Sequence, residues 1–221
     1  MKRTWSILLL YLFVLILISG CLSMQDNGNE TEAAQYTGIK LTPISEQGNN
    51  AIKGTQYIDK DTYTLRIDGM VERPANFTYD QITAYTPVSK VVNLNCVEGW
   101  SFTAKWTGVP VKTLLDRTGI KENATNVIFY STDGYSTSHD LGYLMDNNIM
   151  LAYMINDITL PPDRGFPLQL VAEGKYGYKW AKWIDHIELA NSSYKGYWES
   201  RGYNNKGDFG GPPNEQSIIS R

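Results

Sequence analysis

Cys96 offers the clearest chemistry in this sequence, because it is the only cysteine in the body of the chain. The second cysteine, Cys21, ends an apolar N-terminal run. A lone thiol forms no internal disulfide, so inert packing, nucleophilic catalysis or metal ligation must explain Cys96. A cysteine nucleophile needs a neighbouring base, and neither His139 nor His186 stands in a recognisable nucleophile motif. Metal ligation and inert packing are the remaining explanations.

Metal ligation by Cys96 requires a second molecule to supply the other ligands. Zinc and iron–sulfur sites need clusters of Cys or His, and covalent haem needs Cys-X-X-Cys-His. The sequence contains neither pattern, so we expect no haem and no iron–sulfur cluster. A single soft thiolate can still anchor a metal that a cofactor carries.

Short strands and brief helices are predicted to position this cysteine. Alternating apolar and polar residues predict a strand over residues 62–71, and a second strand over residues 91–94 delivers Cys96 at its C-terminal end. The apolar spacing of residues 111–118 predicts a helix that ends at Gly119. Further elements are predicted at residues 78–82 and 141–146 as helices, and at residues 126–130 and 168–171 as strands. Strands do not alternate with long helices, so a parallel α/β sheet is not expected.

The N-terminus has the features of an export signal. Lys2 and Arg3 precede an apolar run over residues 5–18, and small residues lead into Cys21. The run is shorter than the roughly 20 apolar residues that span a bilayer, so residues 1–21 are predicted to be a lipoprotein-type signal peptide with lipidation at Cys21. An uncleaved membrane anchor is the alternative. Both interpretations place the folded part on the outer face of the cytoplasmic membrane, at the cell surface or on the periplasmic side.

Composition divides the rest of the chain. Residues 22–37 are polar and poor in large apolar side chains, which predicts a flexible tether. Residues 38–221 have the length of one domain with an irregular C-terminal tail. A net charge of -3, from 20 basic and 23 acidic residues, provides no concentrated basic face for nucleic acid. An aromatic content of 12% suits a β-rich domain or a pocket for a planar ligand.

Two ordered blocks of sequence carry a family resemblance. The first consists of Cys-Val-Glu-Gly-Trp-Ser at residues 96–101 and Trp-Thr-Gly-Val-Pro-Val at residues 106–111. The second consists of Leu-Pro-Pro-Asp-Arg-Gly-Phe-Pro-Leu at residues 160–168 and Gly-Lys-Tyr-Gly-Tyr-Lys-Trp at residues 174–180. Together they resemble the sulfite oxidase-like molybdopterin-binding domain family, and the resemblance spans about residues 63–203. It implies an α+β, mainly β fold with mixed sheets and short helices.

The resemblance also implies a cofactor and a reaction. Cys96 would be the protein thiolate on the metal of a molybdopterin, with tungsten as the alternative to molybdenum. The implied activity is oxygen-atom transfer on a small sulfur oxyanion or a sulfoxide-type substrate. Electrons would pass to or from a separate partner, such as a haem protein or a membrane quinone system. A cofactor-free extracellular binding or adhesion module on the same fold is the alternative function.

Positions that match motif residues of the family are expected to surround the cofactor. Tyr153 would be a catalytic phenol beside the metal. Besides Cys96, the expected cofactor-binding residues are Asn49, Ser131, Thr132, Arg164, Gln169, Gly177, Tyr178, Lys179 and Lys182. Gln169 stands where relatives carry an arginine, so another of these cationic residues is expected to supply the missing charge.

Two further expectations concern neighbouring residues. Glu98 follows Cys96 closely, and its negative charge would disfavour an anion such as sulfite. The tryptophans at positions 106, 180 and 183 are expected to pack in the core.

Overall fold

Two five-stranded sheets and a two-stranded ribbon form most of the computed structural model, which describes residues 30–214. In chain order the strands are β1 (Gln35–Tyr36), β2 (Ile39–Lys40), β3 (Thr64–Gly69), β4 (Ala75–Thr78), β5 (Val88–Asn95), β6 (Ser101–Pro110), β7 (Asn126–Ser131), β8 (Ser136–Asp140), β9 (Met150–Ile155), β10 (Ile158–Thr159), β11 (Gln169–Val171) and β12 (Ile184–Ala190). Most strands pair with a neighbour in the chain through a short connection, which suits a chain rich in turn residues.

The two larger sheets differ in their strand order. The first has the order β10-β9-β6-β5, and β11 also pairs with β9. The second has the order β4-β3-β12-β7-β8. In the second sheet β12 runs parallel to β3, while the other pairs in both sheets are antiparallel. This mixed pairing with few short helices confirms the predicted α+β, mainly β fold.

Short helices lie between the strands of the described region. They are α1 (Tyr79–Thr83), α2 (Val111–Thr118) and α3 (Leu141–Asp146), with 3-10 turns at Ile44–Glu46, Pro162–Arg164, Gly177–Lys179 and Glu199–Arg201. A capping box starts α1, because Thr78 Oγ1 accepts from Gln81 N at 3.2 Å and Gln81 Oε1 accepts from Thr78 N at 2.9 Å. The second helix ends at Gly119, as predicted.

Apolar side chains from both sheets share one core. Trp106 and Leu151 of the first sheet are fully buried, as are Ile67, Phe129 and Ile187 of the second. Removing these side chains from water is the main favourable contribution to folding. The shared core therefore gives the loops at the sheet ends a rigid support.

Most elements predicted from periodicity are present. The strand predicted at residues 91–94 is the end of β5, and the helices predicted at residues 111–118 and 141–146 are α2 and α3. The sequence analysis did not identify β6, β8 or β12. β6 contains a glycine and ends in proline, which are uncommon inside strands. β8 is polar, so its sequence does not indicate a buried strand. Its serines Ser136 and Ser138 find hydrogen-bond partners in Tyr194, at 3.0 and 2.8 Å.

The start of the described region packs against the domain, in contrast to the flexible tether predicted for residues 22–37. Glu30 accepts hydrogen bonds from N and Oγ1 of Thr159, both at 2.7 Å. Glu32 Oε1 accepts from Ile44 N at 2.7 Å. Polar composition predicted a solvated segment, but these carboxylates satisfy N–H and O–H groups of the domain. The tether prediction is therefore wrong from Glu30 onward.

Several predictions fall outside the described residues. These are the signal peptide over residues 1–21, lipidation at Cys21, the tether over residues 22–29 and the end of the C-terminal tail at residues 215–221, and they stay predictions. Between residues 30 and 214, no helix has both the length and the apolar character required to cross a bilayer.

Candidate functional site

A cavity of about 340 Å³ lies beside the turn that joins β5 to β6. Its walls come from this turn, residues 48–52, β11 and the 3-10 turn Gly177–Lys179, and the C-terminal segment adds Trp198 and Tyr203. The residues predicted to bind a cofactor that line it are Asn49, Cys96, Arg164, Gln169, Gly177, Tyr178 and Lys182. The fold thus gathers at one site most of the residues that the motifs indicated.

Cys96 stands at the start of a tight turn. Its N–H donates to the Trp100 carbonyl at 2.9 Å, and Gly99 N donates to the Cys96 carbonyl at 3.2 Å. The thiol is free and half-buried. Burial raises the pKa of the thiol and the charge of Glu98 adds to this shift, while hydrogen bonds from the backbone N–H groups of Glu98 and Val97 act in the opposite direction. These two donors would stabilise a thiolate, which is the form that binds a metal.

The main chain at Gly177 approaches this turn closely. A Cβ atom there would lie 3.2 Å from Leu94 Cδ2 and 3.8 Å from Cys96 Cα. A β-bridge between Asn95 and Tyr176 fixes the two segments side by side. Glycine at position 177 therefore allows the main chain itself to line the cavity next to the thiol.

Lys182 provides a positive charge at the cavity wall. Its Nζ donates to Asn49 Oδ1 at 2.6 Å and to the Asp163 carbonyl at 3.2 Å, and it lies 4.3 Å from the ring centroid of Trp183. Burial, and then repulsion from Arg164, lowers the pKa of Lys182 to about 8. An anion bound at this ammonium would offset both effects, so the wall is suited to a negatively charged group.

Arg164 holds a neighbouring part of the wall in shape. Its Nη1 donates to the Gly48 carbonyl at 2.9 Å, and its Nη2 donates to the carbonyls of Ile44 and Gln47 at 3.1 and 2.9 Å. Its Nε is buried and lies 3.3 Å from Asp163 Oδ2, without the geometry of a hydrogen bond. Burial lowers the pKa of this guanidinium, and Asp163 acts against that shift. Most of the donors of Arg164 therefore organise the main chain that leads into residues 48–52.

Three predicted residues lie away from the cavity lining. Thr132 is exposed, and its N–H donates to the Trp183 carbonyl at 3.1 Å. Ser131 Oγ is buried and has no hydrogen-bond partner among the described residues. Tyr153 is 8% exposed, and its ring packs edge-on against Tyr79 with the centroids 6.5 Å apart. Its catalytic role stays a prediction.

Lys179 is also absent from the lining, and burial decides its role. Its Nζ lies 2.5 Å from Glu199 Oε1 and donates to the Asn205 carbonyl at 2.9 Å, and neither side chain of the ion pair has exposed surface. Thr137 Oγ1 donates to the same Glu199 oxygen at 2.6 Å. A buried ammonium requires a counter-charge. The structure thus corrects the expected role of Lys179 as a free charge for a cofactor, because Glu199 neutralises it.

Aromatic side chains of the cavity went largely unpredicted. Trp180 and Trp183 are buried, as expected of core residues, but they line the cavity together with Trp100, Trp198 and Tyr203. The ring centroids of Trp198 and Tyr203 are 5.2 Å apart. High aromatic content was the available signal, and composition does not tell which rings face a pocket. The irregular C-terminal segment has no periodicity that could place its rings.

Comparisons with known proteins agree with this geometry. The model of the family described as oxidoreductase molybdopterin binding domain matches residues 52–198. A protein named as a protein-methionine-sulfoxide reductase subunit, YedZ1 of Azospira oryzae, is 37% identical over 147 residues, which are 66% of this chain and 56% of the relative. The oxidoreductase YuiH of Bacillus subtilis is 31% identical over 153 residues, which are 69% of this chain and 77% of the relative.

More distant similarities extend to larger proteins. The nitrate reductase [NADH] of Solanum lycopersicum is 29% identical over 169 residues, and the chain spans 19% of its length. The solved structure of the sulfane dehydrogenase SoxCD from Paracoccus pantotrophus has a TM-score of 0.62 at 23% identity, covering 64% of this chain and 41% of that chain. This structure supports the fold alone, whereas the family model covers most of the domain and includes the turn at Cys96. The chain therefore belongs to the oxidoreductase molybdopterin-binding domain family.

Proposed function

We propose that Cys96 is the protein thiolate on the metal of a molybdopterin, and that the enzyme transfers an oxygen atom to or from a small sulfur oxyanion or a sulfoxide-type substrate. Family membership establishes the oxidoreductase class, while the metal ligand and the substrate are part of the proposal. The observation that carries it is the convergence of a half-buried thiol, the Gly177 main chain and the Lys182 ammonium on one cavity.

The lining residues fit such a cofactor. Rings such as those of Trp100 and Trp180 can flank a planar pterin. Lys182 and Asn49 would hold its anionic end, because the ammonium lacks a carboxylate partner among the hydrogen bonds it makes.

The cofactor, when bound, supplies the two-electron chemistry of the reaction. The chain contributes binding and orientation. Cys96 gives up its thiol proton on ligation, and the backbone N–H groups of Val97 and Glu98 stabilise the negative sulfur. The surrounding rings keep water away from the reacting atoms.

The proposed reactions need an electron partner. Reduction of a sulfoxide consumes two electrons and two protons and releases a sulfide and water. Oxidation of sulfite consumes water and releases sulfate, two electrons and two protons. We propose a partner on another chain, such as a haem protein or a membrane quinone system. The name of the Azospira oryzae relative, a reductase subunit for protein methionine sulfoxide, supports both a second subunit and a sulfoxide-type substrate.

The proposal includes a cellular location. The signal-like residues 1–21 support export, lipidation at Cys21 and attachment to the outer face of the cytoplasmic membrane. A tether of eight residues, 22–29, would then join the lipid to the part of the chain that packs against the domain.

Metal and pterin analysis tests the central claim. The full-length protein would be made in a host that produces molybdopterin and purified without reconstitution. We expect about one molybdenum or tungsten per chain, together with a pterin released on oxidation, since one thiolate anchors one metal. Repeated absence of both would reject the proposal and favour the cofactor-free module.

The two cysteines provide matched variants. Cys96→Ser should lower dye-linked turnover by at least about 100-fold. Mutating a residue that only supports a metal ligand typically costs about 10- to 100-fold in metal affinity or activity, and this variant removes the ligand itself. Cys21→Ser should keep turnover and metal but fail to incorporate a labelled fatty acid. Undiminished turnover of Cys96→Ser would contradict the assigned ligand, and labelling of Cys21→Ser would contradict the assigned lipid site.

A further inference from the structure

The charges around the cavity are unevenly distributed. Among the described residues, its charged lining side chains are Glu98, Asp133, Arg164 and Lys182. Arg164 is bonded to main-chain carbonyls, and Asp133 accepts from Tyr135 N at 2.9 Å and acts on Lys182. Asp163 pairs with Arg164 at 3.3 Å, so Lys182, which hydrogen-bonds to no carboxylate, provides the positive charge of this wall. The turn at Cys96 carries the negative charge of Glu98.

Two consecutive asparagines contact these opposite charges. Asn49 Oδ1 accepts from Lys182 Nζ at 2.6 Å, while the side chain of Asn50 lies near Glu98 and lowers the pKa of its carboxyl. Segment 48–52 thus connects the positive wall to the negative turn. An anionic part of a ligand belongs at the first, and a neutral or cationic part at the second.

Glu98 is exposed at the mouth of the turn, and a hydrogen bond holds its carboxylate in place. Trp100 Nε1 donates to Glu98 Oε2 at 3.0 Å. The Trp100 ring in turn packs against the main chain of Gly48, where a Cβ atom would lie 2.5 Å from ring carbons. The carboxylate therefore stays at the cavity, two residues from the thiol.

We infer that Glu98 is a specificity-determining residue that excludes anionic oxygen donors from the Cys96 end of the cavity and so favours neutral sulfoxides. This inference rests on the proposed function, because it takes Cys96 to mark the reacting end. The carboxylate of glutamate is ionised at neutral pH. It lowers the local concentration of an approaching anion, while a neutral sulfoxide meets no such repulsion.

Nitrate and dimethyl sulfoxide form a suitable pair of substrates. Each gives up one oxygen atom with two electrons and two protons, leaving nitrite or dimethyl sulfide and one water. Both can be assayed in the same direction with the same reduced viologen dye as the electron donor. The ratio of their kcat/KM values then reports discrimination between an anion and a neutral molecule.

The test compares the cofactor-loaded wild type with Glu98→Gln and with Glu122→Gln. Glutamine keeps the shape of Glu98 and can accept the Trp100 N–H, while Glu122 is exposed and outside the cavity lining. Glu98→Gln should raise the nitrate-to-sulfoxide ratio about threefold to tenfold at low salt, chiefly through the KM for nitrate. The gain should shrink as ionic strength rises, and Glu122→Gln should match the wild type.

Binding of sulfate supplies a readout that does not depend on turnover. Tryptophan fluorescence, to which Trp100 contributes, should show tighter sulfate binding to Glu98→Gln than to the wild type. An unchanged substrate ratio with unchanged sulfate affinity, or an equal change for both substrates, overturns the role of Glu98. A wild type without metal and pterin instead overturns the proposed function, and the sulfate titration still decides whether Glu98 repels anions.

Discussion

Replacing Glu199 by glutamine should cost a large part of the stability of the domain. Glu199→Gln keeps the side-chain shape and the hydrogen bond from Thr137 but removes the negative charge. Lys179 would then hold its ammonium in a site with no exposed surface, with two neutral acceptors, the glutamine oxygen and the Asn205 carbonyl, in place of a carboxylate. Removing one member of a buried ion pair costs about 3–5 kcal/mol. Domains have total unfolding free energies of about 5–15 kcal/mol, so the variant should be close to unfolding.

Urea denaturation followed by tryptophan fluorescence and circular dichroism measures this loss. Asp116→Asn is a matched control, because it breaks the Lys112–Asp116 pair, which has the same kind of charges at 2.9 Å but about half-exposed side chains. That control should lose less than about 0.5 kcal/mol. The double variant Lys179→Met/Glu199→Gln should recover most of the stability, since it removes the uncompensated charge.

Two results would refute this reasoning. One is a loss below about 1 kcal/mol for Glu199→Gln, which is the size of an exposed pair. The other is an unfolding free energy of the double variant no higher than that of the single variant. We also expect the double variant to keep its molybdenum, because Glu199 already neutralises Lys179 in the native protein.

Three further predictions concern pH, reactivity and packing. Burial, and then Lys179, lowers the pKa of His139 well below 6.5, so the unfolded chain binds a proton that the folded chain excludes. Stability should therefore fall as pH drops below about 6.5. The melting temperature of His139→Gln should depend less on pH between about pH 5 and pH 7 than that of the wild type, and an unchanged slope would contradict this. Acetic anhydride should modify Lys182 with a midpoint near pH 8, and inorganic phosphate should protect it, as followed by mass spectrometry. A midpoint near 10.4, the ordinary lysine value, would be the opposing outcome. Gly196→Ala would place Cβ 2.2 Å from the Ser136 carbonyl oxygen, so the free energy of unfolding should decrease by about 1–3 kcal/mol. Amide exchange in the C-terminal segment should become faster. Exchange rates equal to those of the wild type would argue against this contact.

Local signals in the sequence were sufficient for several elements. α2 spans the predicted residues because its apolar residues recur at helical spacing and Gly119 ends it. The strand before Cys96 was predictable from its β-branched run. β8 was not, because its buried serines acquire partners only from a segment almost 60 positions away. No pattern within β8 signals such a partner.

The candidate site shows the same division. Cys96, Gly177 and Lys182 were identifiable from motifs and converge on the cavity. Lys179 belongs to the same motif, yet Glu199 captures its charge from an irregular segment. The contact between Asn50 and Glu98 likewise joins distant parts of the chain. One sequence specifies which side chains can ionise, but the tertiary structure decides which charges remain available to a ligand.

The region matched by the family model is smaller than the folding unit seen here, which matters for recombinant work. A fragment trimmed to residues 52–198 would lose Asn49, Glu199 and Tyr203, and with them a partner of Lys182, the counter-ion of Lys179 and part of the cavity wall. It would also lose the carboxylate of Glu30 that anchors the first residues. Expression boundaries should therefore enclose at least residues 30–214. The solubility and ligand affinity of a shorter fragment would differ from those of the complete folding unit.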